Sequence, residues 1–401
     1  MKKSLFLGGT LAFFSILSTG SAWGESVVDG KVQAILDKHY QTYRNDEFFS
    51  AIQLSTKAGD GAIKTYVVGT KSHEADSPVI DSESLFQIGS ITKSFTSVLL
   101  LQAEMEGKVS LDNDFTSYLP EYGRWNGVTI TQLLNMTSGL PNYSDSPTIN
   151  YSFVQSPERI WQDKELVDVV YPQPNLPAPP LNTGYGYTNT AYTLGGLILE
   201  KVYGQSYAEL IDEKILQPLQ LDNTFYPIPS YPPVILARMV DGNNFNPYTN
   251  PELTGRSVDN GNLSWAGAAG GLVANTQDII SWVRALFVED KLLSLEQKKQ
   301  LTQIVSLSTG EPITGTTAEE PRGFGLGVVQ GYDQDWGHYW FYQGETLGHR
   351  SFYLYFPCNE VIISALFNSA VNDQNNNVKP LLTGVYQALL DDQPNLVCQS
   401  K

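Results

Sequence analysis

The sequence has few of the residues that build metal centres, and it lacks the positive charge that attracts nucleic acid. It contains four histidines and two cysteines in 401 residues. The histidines show no metal-ligand spacing, which argues against a bound metal. Its formal net charge of -17 repels nucleic acid and anionic membrane surfaces alike. We therefore expect no metal, no other cofactor and no nucleic-acid partner.

Long apolar runs are missing beyond the N-terminus. Two lysines follow the initiator methionine, and an apolar run from Leu5 to Leu17 then leads to small residues ending at Gly24. This layout is typical of a secretory signal peptide, and the run is too short for a membrane-spanning helix. We expect residues 1–24 to be a signal peptide, the mature protein to lack a stable membrane span, and its location to be periplasmic or secreted.

The two cysteines, Cys358 and Cys398, both lie near the C-terminus. Export would place them in an oxidising compartment, where they can pair. A disulfide closing this loop would contribute about 4 kcal/mol in the chain-entropy model. Two free buried thiols are the alternative interpretation.

Hydrophobic periodicity predicts strands at both ends of the chain and mainly helices and long loops between them. The pattern suggests one sheet closed by the two ends of the chain. We expect one domain over residues 25–401, with an α/β part at about 25–95 and 300–401 and a helical part at about 96–299. The predicted strands are 48–55, 63–68, 324–330, 338–343, 351–356 and 361–367, and a last helix is predicted near 380–390.

A hydroxyl and an amine stand three residues apart at the start of an apolar-striped segment, at Ser90 and Lys93. Residues three apart share one helix face, so a neutral Lys93 could take the proton of Ser90 during attack on a carbonyl. This is an alternative to Ser-His-Asp chemistry, for which the sequence lacks the Gly-x-Ser-x-Gly turn. The other interpretation is a serine helix cap beside a solvated lysine. A cation is disfavoured in a first helical turn, which favours the catalytic interpretation.

A second polar cluster is Tyr187-Thr188-Asn189, which precedes a predicted helix. A phenol near a lysine can relay protons between a nucleophile and a leaving group. An asparagine can hold both an amine and a substrate carbonyl. The tripeptide pattern also occurs twice elsewhere in the chain, so its position has to support the functional interpretation.

A third cluster, Tyr342-Gln343-Gly344-Glu345, ends an aromatic strand. A glycine at this place lets a substrate approach the strand closely. A turn without function is the alternative for the segment taken alone. The order of the three clusters along the chain favours a shared site.

In this order the motifs resemble the serine beta-lactamase and penicillin-binding-protein-like hydrolases, particularly class C beta-lactamases, D-Ala-D-Ala carboxypeptidases and related esterases. The resemblance covers nearly the whole mature sequence. It implies an α+β fold, an antiparallel sheet flanked by helices, with a mainly helical region inserted between N- and C-terminal strands and the site in the cleft. It rests on Gly-Ser-Ile-Thr-Lys-Ser-Phe from Gly89, Val-Thr-Ile-Thr-Gln-Leu-Leu-Asn-Met-Thr-Ser-Gly-Leu-Pro from Val128, Tyr-Thr-Asn from Tyr187 and Ala-Ala-Gly-Gly-Leu-Val from Ala268.

The resemblance also implies a role for each candidate residue. Ser90 would be the acylated nucleophile, Lys93 its base partner, and Tyr187 the proton relay to the leaving group. Asn189 would orient Lys93 and the amide of the substrate. The oxyanion hole would consist of the backbone N–H groups of Ser90 and Glu345.

One position departs from the family. Beta-lactamases carry Lys-Thr-Gly and some carboxypeptidases His-Thr-Gly where this chain has Tyr342-Gln343-Gly344. The cation that usually meets a substrate carboxylate is therefore missing, although we still expect the segment to bind substrate. Three nearby cations could replace it, but we do not count them in the site: His349, Arg350 and Arg322.

The function that the sequence favours is an exported hydrolase acting on a small-molecule or peptide substrate, such as a cell-wall peptide, a lactam or an ester. Lactamase, carboxypeptidase and small-acyl esterase activities stay open as alternatives, because the missing cation weakens the first two. A binding protein that kept the cleft and lost turnover is the alternative from another class. The sequence predicts no oligomeric state.

Overall fold

The structure is a computed structural model that describes residues 27–174, 178, 180–247, 251–258 and 262–398. The predicted signal peptide lies outside the described residues. Within them no helix is both long enough and apolar enough to cross a lipid bilayer. The helices are α1 (Val27–Tyr43), α2 (Thr92–Met105), α3 (Ile130–Leu134), α4 (Pro147–Gln155), α5 (Asp163–Asp168), α6 (Asn189–Tyr203), α7 (Tyr207–Ile211), α8 (Gln217–Leu219), α9 (Pro233–Leu236), α10 (Gly267–Gly270), α11 (Thr276–Phe287), α12 (Leu295–Leu301) and α13 (Val378–Asp392).

Strands lie mainly before α2 and after α12. They are β1 (Ala51–Lys57), β2 (Lys64–Gly69), β3 (Phe86–Gln87), β4 (Asn243–Phe245), β5 (Arg256–Ser257), β6 (Val273–Ala274), β7 (Ile304–Ser306), β8 (Pro312–Ile313), β9 (Arg322–Phe324), β10 (Val329–Asp333), β11 (Gly337–Glu345), β12 (Arg350–Phe356), β13 (Val361–Phe367) and β14 (Ser369–Val371).

The main sheet joins both ends of the chain. Among the described residues it has nine strands in the order β2-β1-β13-β12-β11-β10-β9-β7-β8. All neighbouring strands are antiparallel, and the pair Ile52 and Phe367 sets the register between β1 and β13. The predicted α+β fold with an antiparallel sheet is confirmed.

Helices cover both faces of this sheet because its central strands alternate between two apolar cores. In β13, Ile363 and Phe367 belong to the core under α1 and α13. Ile362 and Leu366 face the larger core, which includes α2 and α11. Both faces are therefore buried, which explains the almost continuous apolar sequence of this strand.

Helix α2 lies in the middle of the larger core and is buried along most of its length. The ring of Phe95 stacks on Trp282 of α11 at 3.7 Å between centroids. The indole nitrogen of Trp282 donates to Ser94 Oγ at 2.8 Å, so the polar atoms of this contact are paired. Packing on several sides makes the start of α2 a rigid support for a reactive group.

The predicted strand over 324–330 is wrong, because the segment forms two strands, β9 and β10, with a turn between them. Gly327 adopts φ +73° in this turn, a conformation that suits glycine. A side chain at Gly327 would come within 2.9 Å of the Lys93 carbonyl oxygen. The turn therefore packs directly against α2. Strands β7 and β8, which extend the sheet beyond β9, were not predicted.

The structure settles the pairing of the two cysteines, which the sequence left open, as a disulfide. Cys358 lies between β12 and β13, and Cys398 follows α13, with 5.7 Å between their Cα atoms. The bond ties the C-terminal segment to the sheet across 40 residues, which corresponds to about 4 kcal/mol in the chain-entropy model. Free thiols are excluded for these two residues.

Candidate active site

The predicted hydroxyl and amine pair meets at the start of α2. Ser90 lies in a 3-10 turn over Gly89–Ile91, and Lys93 is the second residue of α2. Lys93 Nζ lies 3.0 Å from Ser90 Oγ. The cap of α2 is Ile91 and makes no side-chain hydrogen bond, so Ser90 is not a helix cap, and Lys93, with no exposed surface, is not solvated.

The surroundings of Lys93 favour its neutral form. Its nitrogen also lies 2.7 Å from Asn189 Oδ1 and 2.8 Å from the Ala269 carbonyl oxygen. None of the partners found for Lys93 in the described chain is a carboxylate. Burial lowers the pKa of Lys93 from its ordinary value, and the neighbouring Tyr187 offsets part of this shift. A neutral amine can donate to the two carbonyl oxygens and direct its lone pair at Ser90.

Tyr187 contacts the same serine oxygen from the open side of the site. Its hydroxyl donates to Ser90 Oγ at 2.6 Å, and its side chain is 40% exposed. Lys93 Nζ lies 4.9 Å from the centre of the Tyr187 ring. One oxygen of Ser90 is thus in contact with a buried base and with a phenol that faces solvent.

Asn189, the first residue of α6, is held by a loop that the sequence did not predict as part of the site. Its Nδ2 donates to Ser144 Oγ at 2.9 Å, and its backbone N–H donates to Asn142 Oδ1 at 2.9 Å. These contacts direct its Oδ1 to Lys93. Asn142 and Ser144 come directly after the sequence motif that ends at Pro141. Their position next to this motif was the one sequence feature that could have placed them in the site.

Two glycines bring β11 against the turn that carries Ser90. A side chain at Gly344 would collide with the Ile88 carbonyl oxygen and come within 2.9 Å of the Ser90 nitrogen. A side chain at Gly89, where φ is +49°, would lie 2.7 Å from the Glu345 nitrogen. The backbone nitrogens of Ser90 and Glu345 are therefore neighbours, as an oxyanion hole requires.

The side chains of the third cluster alternate along β11. Tyr342 is buried, whereas Gln343 and Glu345 are exposed. The structure thus brings Ser90, Lys93, Tyr187, Asn189 and the backbone at Gly344 and Glu345 to one place. Tyr342 lies on the buried face of the strand, near Tyr187, whereas the Gln343 side chain lies on the opposite, exposed face.

Two of the three nearby cations are engaged away from the site, and the third, Arg322, lies beside Tyr185. His349 Nε2 lies 3.0 Å from the Val240 carbonyl oxygen, and burial lowers the pKa of His349 to about 4. Arg350 is buried in an ion pair with Glu47 at 2.7 Å. Arg322 lies over the ring of Phe341 at 5.8 Å.

Solved structures share this fold over nearly the whole chain. A D-amino acid amidase from Ochrobactrum anthropi SV3, complexed with D-phenylalanine, is 22% identical and superposes with a TM-score of 0.74, covering 91% of this chain and 99% of its own. An octameric penicillin-binding protein homologue from Pyrococcus abyssi is 22% identical with a TM-score of 0.70, covering 90% of this chain and 77% of its own.

Sequence comparison identifies the family. A beta-lactamase from Escherichia coli (strain K12) is 29% identical over 153 residues, 37% of either chain. A penicillin-binding protein from Bacillus subtilis (strain 168) is 26% identical over 238 residues, 58% of this chain and 51% of the relative. The chain thus spans about half the length of the curated relatives it matches, or less. The Beta-lactamase family model matches residues 58–386, so the chain belongs to the Beta-lactamase family.

Proposed function

We propose that this chain is a serine hydrolase that transfers acyl groups to water through an acyl-enzyme at Ser90. The observation that supports it is the pair of contacts at Ser90 Oγ. The buried Lys93 nitrogen lies at 3.0 Å, with no carboxylate among its partners in the described residues, and the Tyr187 hydroxyl lies at 2.6 Å. A serine with these neighbours can lose its proton at the moment of attack.

In the proposed reaction Ser90 Oγ bonds to the substrate carbonyl carbon while its proton passes to the lone pair of Lys93. The carbonyl oxygen becomes an oxyanion held by the backbone N–H groups of Ser90 and Glu345; removing one such donor typically costs ~3 kcal/mol. Tyr187 protonates the leaving amine or alcohol as its bond to carbon breaks. Water then attacks the ester, and Ser90 regains its proton as the acid leaves.

Substrate binding is assigned to Asn189 and to the end of β11. Asn189 is the amide beside Lys93, and we propose that it also contacts the substrate carbonyl or amide. Gly344 allows the substrate backbone to lie along the strand. Tyr342 and Gln343 would contact the buried and exposed parts of the bound molecule, respectively.

Ester or amide substrates without a carboxylate are favoured over lactams and D-Ala-D-Ala peptides. The supporting observation is the charge around the site, where Tyr342 stands in place of a cation and Arg350 is engaged with Glu47. An anionic substrate would leave its charge without a partner there. Amide cleavage is supported by the shared fold with a D-amino acid amidase, and small-acyl ester cleavage is the second candidate.

Turnover of nitrocefin, a p-nitrophenyl ester, a D-amino acid amide and a D-Ala-D-Ala peptide separates these activities. Mass spectrometry after treatment with a fluorophosphonate should locate one adduct on Ser90, and Ser90→Ala should give none. An adduct on another residue would move the site. A protein that binds substrate but forms no adduct would instead support the non-catalytic binding function.

We also propose that the protein works in the periplasm or outside the cell. The apolar N-terminal segment supports export, and the disulfide between Cys358 and Cys398 suits an oxidising compartment. Cell fractionation checks this, together with the N-terminal sequence of the mature protein, which should begin near Glu25. An uncleaved chain that stays in the cytoplasm would contradict export.

A further inference from the structure

An aromatic wall lines the site next to the nucleophile. It consists of Tyr185, Tyr187, Phe324 and Tyr342. The Phe324 ring is its centre, at 5.7 Å from Tyr185, 6.5 Å from Tyr187 and 6.0 Å from Tyr342 between centroids. Since Tyr187 donates to Ser90, the wall begins at the reacting oxygen and continues into the protein.

The deepest hydroxyl of this wall belongs to Tyr342. Tyr342 is 4% exposed, and its oxygen has no partner of normal geometry in the described chain. Burial raises the pKa of Tyr342 well above its ordinary value, and Tyr187 is the neighbour that adds most to this shift. The Tyr342 hydroxyl therefore stays protonated and keeps one O–H donor near Tyr187. An unpaired buried hydroxyl costs free energy, so its presence beside a reacting group calls for an explanation.

We propose that Tyr342 is a positioning residue whose hydroxyl donates to the Tyr187 oxygen while Tyr187 passes its proton to the leaving group. This inference rests on the proposed function. When the Tyr187 O–H bond breaks and the proton joins the leaving atom, negative charge develops on the phenol oxygen. Lys93, which holds the proton of Ser90, then restores the proton on Tyr187. The donor of Tyr342 gains a strong acceptor only during this step, because charged acceptors form stronger hydrogen bonds.

A tyrosine on the next strand supplies a matched control. Tyr353 pairs with Tyr342 across β11 and β12, and its buried hydroxyl also lacks a partner in the described chain. Burial alone raises the pKa of Tyr353, so this phenol does not sense Tyr187. The variants Tyr342→Phe and Tyr353→Phe each remove one unpaired buried hydroxyl from the same sheet, and both should melt at or above the wild-type temperature.

Only Tyr342→Phe should affect catalysis. We expect kcat for the ethyl ester of a substrate acid to fall about tenfold to a hundredfold with little change in KM. The p-nitrophenyl ester of the same acid should lose much less, because its leaving group needs no proton. Tyr342→3-fluorotyrosine keeps the donor and should retain kcat.

The outcomes separate this inference from the proposed function. If the wild-type protein forms no adduct at Ser90, the proposed function fails first. If it does form the adduct, but Tyr342→Phe matches Tyr353→Phe on both the ethyl ester and the p-nitrophenyl ester, the role of Tyr342 is wrong and the hydrolase assignment stands. A 3-fluorotyrosine variant as slow as Tyr342→Phe would also overturn the role.

Discussion

Two buried cations show how the same fold treats a reactive and a structural charge. Lys93 and Arg350 have 0% and 1% of their surface exposed. Arg350 donates to the Glu47 carboxylate at 2.7 Å and also to Ser369 and Asn376. The hydrogen-bond partners of Lys93 within the described residues are neutral oxygens. The Arg350 charge is thus neutralised where it lies, whereas no anion in this part of the chain pairs with Lys93.

The difference explains which of the two can do chemistry. Arginine stays protonated in proteins; burial lowers the pKa of Arg350 from its very high ordinary value, and the Glu47 carboxylate offsets part of this shift. Burial also lowers the pKa of Lys93, where only Tyr187 offsets it, which makes the lysine lone pair available for a proton. Substitutions at the two sites should therefore have different consequences. Removing the Lys93 amine should abolish activity, whereas removing the anionic partner of Arg350 should lower stability.

The largest expected effect is the loss of catalysis in Lys93→Met. The variant keeps an apolar side chain of similar length but removes the base, so kcat/KM should fall by about a thousandfold. Its free energy of unfolding should be unchanged or higher, because a buried amine without a counterion is costly. Steady-state kinetics and urea unfolding check both results. Lys108→Met, at an exposed lysine, is the control; a Lys93→Met variant that keeps its activity would place the base elsewhere.

The second effect concerns stability and comes from Glu47→Gln. It leaves the buried Arg350 charge without an anion, which typically costs about 3 kcal/mol. The urea midpoint should fall, while the folded enzyme keeps its kcat/KM. Glu83→Gln, in the exposed pair with Arg238 at 3.3 Å, should cost less than about 1 kcal/mol. Equal losses in both variants would contradict the comparison between buried and exposed pairs.

The comparison also shows what the sequence could and could not predict. Ser90 and Lys93 meet because local helix geometry determines their separation, so their contact was predictable. The order of the three clusters then indicated Tyr187, Asn189 and the end of β11. Arg350 follows the third cluster closely in sequence, so it is a candidate source of charge for the site. Its ion pair with Glu47 could not be predicted, because the two residues are 303 positions apart. A contact over such a separation arises only from the folded sheet.

Other misses have local and tertiary causes. The strand predicted over 324–330 contains two glycines that mark a turn, but its apolar pattern hid the break. The Ala269 carbonyl could not be found from side-chain chemistry, because a backbone oxygen has no residue-specific signal. Asn142 and Ser144 reach Asn189 only once the loop before α4 has packed against α6.

A half-buried acid, Asp163, extends the comparison to the opposite charge. Burial, followed by the charge of Glu200, raises the pKa of Asp163 to about 7. Between about pH 4 and 7 the unfolded chain is therefore ionised at this residue while the folded chain is protonated, so stability falls as the pH rises and levels off above 7. Asp163→Asn should gain about 1 to 2 kcal/mol over wild type between pH 5 and 8. Urea unfolding at several pH values measures this.

The exposed Asp168 on the same helix provides the control. Asp168→Asn loses only a surface pair with Lys164, so its stability should follow the wild-type pH dependence. If the stability of Asp163→Asn also shows the wild-type pH dependence, the pKa of Asp163 is not raised in the folded protein.

The smallest effect tests how neutral partners keep Lys93 in position. Ser144→Ala removes the acceptor of Asn189 Nδ2, so the amide can rotate and present an N–H to Lys93. We expect kcat/KM to fall about tenfold, as for loss of one hydrogen bond of about 1 kcal/mol. Ser144→Thr keeps the hydroxyl and should retain most activity. The control is Ser146→Ala, which removes only the N-cap of α4. It should lower the free energy of unfolding by about 1 kcal/mol without a change in kcat/KM. Equal kcat/KM values for Ser144→Ala and Ser146→Ala would show that Asn189 keeps its orientation without Ser144.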